Sequence, residues 1–107
     1  MALDEMYRNE VMGQLELVLP DVHDRKMFGG LGIYSETWFF ALITSGNVLH
    51  FKVDDSSRAE YEARGMPRFE HMSYYRVPDE VLGDLEQLRG WAETAVSVAK
   101  RSRKKGK

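Results

Sequence analysis

The chain has 107 residues, 43% hydrophobic and 30% charged, with no cysteine, which describes one domain around one two-layer core and excludes disulfide scaffolds and thiolate metal sites. Its net charge of −2 hides an uneven distribution. Residues 1–99 hold all 17 acidic residues against 9 basic ones, a net of −8, whereas residues 100–107 hold 6 basic residues and no acid.

Asp4, Glu5 and Glu10 stand where a secretory leader needs positive charge ahead of an apolar stretch. The longest apolar run, Trp38 to Ile43, is six residues, against the roughly 20 of a membrane-spanning helix. A cytoplasmic protein without membrane contact is expected.

Leu3, Tyr7, Val11, Leu15 and Val18 recur at helical spacing and predict a helix ending near Leu19. Pro20 disfavours helix in the residue before it, so Pro20 to Asp24 reads as a connection. From Arg25 the period changes to two. Lys26 to Tyr34 predicts one strand whose glycines permit a bulge, a bend or close backbone approach. Trp38 to Thr44 predicts a central strand, Ser45-Gly46-Asn47 a hairpin turn, and Val48 to Val53 an alternating strand with Leu49, Phe51 and Val53 on one face and Val48, His50 and Lys52 on the other. Asp54 to Ser57 opens a short helix, Ser57 to Arg64, where Ser57 and Glu60 have capping-box spacing. Gly65 and Pro67 close it. Phe69 to His71 and Ser73 to Val77 predict two short strands or one bent one. Pro78 suits a first helical turn, followed by Asp79 and Glu80. Gly83-Asp84 marks a break, with Asp84 and Gln87 placed to cap a restarted helix bearing Leu85, Leu88, Ala92, Ala95 and Ala99 on one stripe. The pattern predicts an α+β fold, an antiparallel sheet with helices on one face, over residues 1–99. Residues 100–107 form a basic, disordered tail beyond it.

Four spaced segments, Arg25 to Tyr34, Trp38 to Ile43, Phe51 to Asp54 and Met72 to Pro78, carry the motifs RxMFGGxGIY, FxKVD and MSYYxVP. In this order they resemble the TfoX N-terminal domain family, named for the TfoX/Sxy regulators of bacterial competence, over about residues 3–99. The resemblance implies a two-layer α-β(3)-α-β(2)-α domain, similar in outline to secretion-chaperone-like folds. In full-length competence regulators a second, C-terminal domain follows, and the whole acts with the cyclic AMP receptor protein on competence promoters. For the isolated domain the resemblance implies no catalytic reaction.

Glycines 29, 30 and 32 invite a phosphate-loop reading, but strand-like residues lie on both sides, where a dinucleotide fingerprint needs a helix after the loop. They fit a bulge or tight strand packing better. His23, His50 and His71 are scattered; Asp21, His23 and Asp24 are three loop residues that need further ligands to encircle a metal. Ser73 has no evident base nearby, and Asp54 and Asp55 read as a strand end entering a helix. No metal, cofactor or catalytic residue is therefore expected. Arg25, Tyr34, Lys52, Tyr74 and Arg76 form the candidate binding surface, presenting cations beside aromatics if they share a sheet face. The alternative is a structural ion pair of Lys52 or Arg25 with Asp54. Lys100, Arg101, Arg103, Lys104, Lys105 and Lys107 read as a solvated end, a salt-sensitive contact to nucleic acid, or a contact to an anionic membrane.

The leading expectation is a non-enzymatic module that works through an unidentified protein partner, with a link to transcription or competence regulation. The alternatives are a nucleic-acid-binding protein using the tail, and a small-ligand-binding or enzymatic domain. Edges of an open sheet also admit a homodimer.

Overall fold

The computed structural model describes residues 4–27, 30–70 and 72–106, with residues 103–106 given by their backbone. Leu3, Phe28, Gly29, His71 and Lys107 lie outside the described residues. Helix α1 (Glu5–Val18) begins where the Asp4 carboxylate accepts from the backbone N–H groups of Met6 and Tyr7, at 2.9 and 3.5 Å, satisfying donors that a first turn leaves unpaired. Of its predicted stripe Val11, Leu15 and Val18 are buried and Tyr7 is half-buried, and Met12, outside that stripe, is buried with them. Strands β1 (Val22–Met27), β2 (Gly30–Ser35), β3 (Trp38–Ile43) and β4 (Leu49–Lys52) follow. Then come α2 (Arg58–Ala63), β5 (Tyr74–Arg76), α3 (Asp79–Leu82) and α4 (Leu85–Gly106). Among the described residues the strands form one antiparallel sheet in the order β1-β2-β3-β4-β5.

This is the expected α+β fold, with the strands distributed differently. Four precede α2 and one follows it, where three and two were expected. The single strand expected over Lys26 to Tyr34 is two, because Met27 pairs with Gly30 in an antiparallel ladder that runs back to Val22 and Ser35. Strand β1 therefore begins inside the stretch taken for a connection. Its start is held by the Ser35 hydroxyl, which donates to the Pro20 carbonyl at 2.7 Å, and by the Glu36 N–H, which donates to the Asp21 carbonyl at 2.9 Å. Beyond α2, the strand expected at Phe69 to His71 is reduced to a bridge between Arg68 and Tyr75. Pro67 accepts from Arg76 N–H but has no N–H to return, so the ladder ends there.

The register places Leu31 opposite Ile43, Ile33 opposite Ala41, Ala41 opposite Phe51, and Phe51 opposite Tyr75. These side chains meet α1, α3 and α4 in one core, where Leu15, Ile33, Phe40, Phe51, Val81 and Leu88 are fully buried. A bulge between β2 and β3 leaves Phe40 without a partner opposite: Ile33 faces Ala41 while Tyr34 faces Phe39. Close approach, one of the roles foreseen for the glycines, holds at Gly30, where a β-carbon would collide with the Ile43 carbonyl oxygen.

At the entry to α2 the expected Ser57–Glu60 box is replaced by one between Asp54 and Ser57. Asp54 Oδ1 accepts from the N–H groups of Ser56 and Ser57, at 3.0 and 3.2 Å, and Ser57 Oγ accepts from Asp54 N–H at 3.1 Å. Asp54 has the shorter reach and already bounds the turn. Pro78 sits one place earlier than expected, as the N-cap of α3. The restart at Asp84 is as expected: its carboxylate accepts from Glu86 N–H, Gln87 N–H and the Gln87 amide.

The basic segment expected to be disordered continues α4 as far as Gly106. Lysine and arginine are good helix formers and favour the negative end of a helix dipole, and Arg101 Nη2 reaches Asp54 Oδ2 at 2.8 Å. That contact and the Ser56 hydrogen bonds hold the Asp54 carboxyl well below the usual carboxylate range. Among the described residues no helix is long and apolar enough to cross a membrane.

Two outcomes follow for stability. Gly30→Ala should lower the denaturant midpoint by an amount equivalent to about 1–3 kcal/mol, because backbone must move to admit the methyl, whereas Gly13→Ala on exposed α1, with nothing within 4 Å of the new carbon, should raise it by up to about 1 kcal/mol. Because the Asp54 pKa is depressed on folding, its stabilisation is present above the unfolded value near 4 and is lost as pH falls below it. A double-mutant cycle of Asp54→Asn and Arg101→Ala should give a coupling of about 0.5–1 kcal/mol at pH 7 for this half-exposed pair, vanishing in acid.

Candidate functional site

Alternation along each strand sends every second side chain to the face opposite the helices. On this outer face lie His23, Arg25 and Met27 from β1, Gly32 and Tyr34 from β2, Phe39 and Leu42 from β3, His50 and Lys52 from β4, and Tyr74 and Arg76 from β5, as the paired registers require. All five residues of the candidate surface therefore share one face. They lie at different depths, however.

One row across the strands is aromatic. His23 stacks on Tyr34 with centroids 5.5 Å apart and planes 1° from parallel, Tyr34 stacks on Phe39 at 5.1 Å, and Phe39 meets Tyr74 at 5.8 Å. Lys52 Nζ lies 5.1 Å from the centre of the Tyr74 ring. The next row pairs Arg25 with Gly32, Gly32 with Leu42, Leu42 with His50, and His50 with Arg76. Gly32 leaves a gap that Met27 and Phe39 fill: a β-carbon there would come within 2.6 Å of Met27 Cε and 3.1 Å of Phe39 Cε1.

Tyr74 is buried at 3% exposure and His50 at 6%, so this part of the face is not the wet surface the alternation suggested. The chain between α2 and β5 folds along the sheet edge, with Phe69 N–H donating to the Tyr74 carbonyl at 2.8 Å and the Phe69 ring 5.3 Å from the His50 ring. Burial pushes the Tyr74 phenol up to about 12 and the His50 imidazole below its ordinary value. His50 Nδ1 lies 3.1 Å from the Val48 carbonyl oxygen, the geometry of a neutral ring donating its proton there. Burial also pushes the Lys52 ammonium down.

Among the described residues, Arg25 and Lys52 have no carboxylate within ion-pair distance, while Arg76 lies 3.8 Å from Asp79. The alternative of a pair with Asp54 is corrected, since the cation there is Arg101, brought in by the length of α4. Arg25 and Lys52 stand three strands apart, about 15 Å by strand spacing, with Lys52 inside the aromatic row opposite Tyr74 and Arg25 in the row beside it. Beside the row is an apolar pit of about 230 Å³ between Met27, Phe39, Leu42, Phe69 and Met72, with Met72 44% exposed.

His23, weighed in the sequence only as a metal ligand, and Phe39, not singled out there, both belong to the row. The alternation of His23, Arg25 and Met27 was available as a signal had β1 been drawn from Val22. Phe39 gave none, because period two from Ala41 and Ile43 turns it inward. Of the basic tail, Arg101 is paired and Lys100 Nζ lies 5.7 Å over the Trp38 ring. Arg103, Lys104 and Lys105 continue the helix with side chains outside the described set, as is Lys107. Asp24, weighed with Asp21 and His23 as a ligand, points to the helix side and pairs with Arg8 at 2.6 Å. No cluster of three metal-ligating side chains occurs among the described residues.

No curated protein matches the chain. Residues 14–99 match the TfoX N-terminal domain, a span that runs from the middle of α1 through all five strands and into α4. With most of its length so matched, the chain belongs to the TfoX N-terminal domain family.

Proposed function

We propose that this domain is a non-catalytic, regulatory interaction module whose outer sheet face receives an extended acidic segment of a protein partner. The observation that carries this reading is the aromatic row from His23 to Tyr74 with Lys52 inside it and Arg25 in the row beside it, two cations without carboxylate partners among the described residues. Stacked rings turn their faces to one another and their edges outward. Ring edges carry the positive part of the aromatic quadrupole, so they favour carboxylates, as the two cations do. The neighbouring pit has room for one apolar anchor side chain. Membership of a family of competence regulators supports a regulatory role linked to transcription through such a contact.

Nucleic acid fits the face less well. Bases need open ring faces on which to stack, and here the faces are occupied by neighbouring rings.

A synthetic extended peptide of glutamate and leucine, titrated into the full chain and followed by amide NMR shifts, tests the proposal. The expected shifts fall on β2, β3 and β4, weaken with added salt, and are absent with the lysine-for-glutamate counterpart. Arg25→Glu combined with Lys52→Glu should reduce affinity about tenfold, roughly 1.4 kcal/mol. Equal response to both peptides, shifts confined to the helices, or indifference to the charge reversals would refute it.

A further inference from the structure

On the other side of the sheet, between α2 and α4, is a cleft of about 470 Å³, within the roughly 300–1,000 Å³ of small-molecule sites. The Tyr61 ring and the Trp91 indole meet there edge to face, with centroids 4.6 Å apart. The Arg64 guanidinium lies 5.1 Å from the centre of the Trp91 ring, held by Glu80 at 2.9 Å and Glu60 at 3.9 Å. Lys52 borders the cleft and Gly90 lines it. A β-carbon at Gly90 would meet nothing within 4 Å. This glycine does not serve close packing, and an interior helical glycine is unfavourable relative to alanine. What its bare backbone leaves is the open volume of the cleft.

Tyr61 gives the cleft its chemistry. The residue is 4% exposed, yet its hydroxyl has no hydrogen-bond partner among the described residues, where the phenol feels only burial and the charge of Glu60. Burial pushes that phenol well above the ordinary tyrosine value, so at neutral pH it remains a proton donor. The one buried side-chain polar atom without a partner among the described residues is Gln14 Oε1, so the Tyr61 hydroxyl is reached by solvent at the cleft and is free to donate to a ligand. The lining is rich in donors, with the hydroxyls of Ser56, Ser57, Tyr61 and Thr94 and the Arg64 guanidinium, which Glu60 and Glu80 hold in place, while the Lys52 ammonium lies over Tyr74. A ligand that complements it has an anionic acceptor and a flat apolar body.

We propose that the cleft between α2 and α4 binds a small aromatic carboxylate, with its ring beside Trp91 over the bare backbone of Gly90 and its carboxylate accepting the Tyr61 O–H. This site is distinct from the outer face and holds whether or not that face binds a peptide, Lys52 being the one residue that borders both.

Titration of the full chain with indole-3-carboxylate to about 10 mM, a ceiling above the dissociation constant of a weak small-ligand site, tests it by amide and indole NMR shifts. Saturable shifts are expected at Gly90 and at the Trp91 backbone and side-chain N–H. Tyr61→Phe keeps the ring and removes the donor, and should weaken binding about tenfold. Gly90→Leu, which helix propensity favours, fills the cleft and should abolish the shifts while the rest of the spectrum stays dispersed. Indole-3-carboxamide, neutral and of the same shape, should bind about tenfold more weakly. Absence of saturable shifts at Gly90 and Trp91, unchanged affinity in folded Gly90→Leu, or equal binding of acid and amide would each overturn the assignment.

Discussion

The bulge in β3 decides both faces of the sheet. Strict alternation through Trp38–Ile43 would send Phe39, Ala41 and Ile43 inward together and leave Phe40 facing solvent. Instead Ile33 pairs with Ala41 and Tyr34 with Phe39, so Phe40 is the extra residue, and it turns inward beside Ala41. Phe40 then fills the core, fully buried and 5.7 Å from the Phe51 ring. Phe39 turns outward, where it joins Tyr34 to Tyr74. One unpaired residue thus supplies a large core side chain and completes the aromatic row. Removing it would exchange the two rings and disrupt both.

The glycines of β2 serve the same arrangement from the neighbouring strand. Gly30 lets the backbone pass close to Ile43, and Gly32 leaves room for Met27 and Phe39 to lean over the sheet. A nucleotide loop would need those glycines before a helix. Here they lie in a strand, and their value is the space a missing side chain creates.

The helical layer closes the other face and shapes the second cavity. Alanines at positions 92, 95 and 99 of α4, with Leu88, form the stripe that packs into the core. Beyond it the basic residues extend the helix until Arg101 meets Asp54, the residue that caps the entry to α2. The last helix and the turn before α2 are tied by this one carboxylate. The cleft lies between the two helices it links, so the acid that organises the turn also bears on the spacing of the walls.

Much of this was legible in order and spacing. The stripes of α1 and α4, the alternation of β4, the hairpin at Gly46, the break at Gly83 and the capping Asp84 each depend on residues a few positions apart, whose preferences act locally. Composition excluded thiolate chemistry, and the spaced motifs identified the family. What tertiary structure decided was everything that depends on partners distant in the chain. The pairing of Met27 with Gly30, the inward turn of Phe40, the burial of Tyr74 and of His50 beside Phe69, and the meeting of Arg101 with Asp54 across 47 positions have no local signature. Local sequence sets which backbone shapes are cheap and which side chains seek burial. Which face each side chain occupies, and which charge it meets, is settled only when strands pair and helices dock, because those energies belong to contacts between segments.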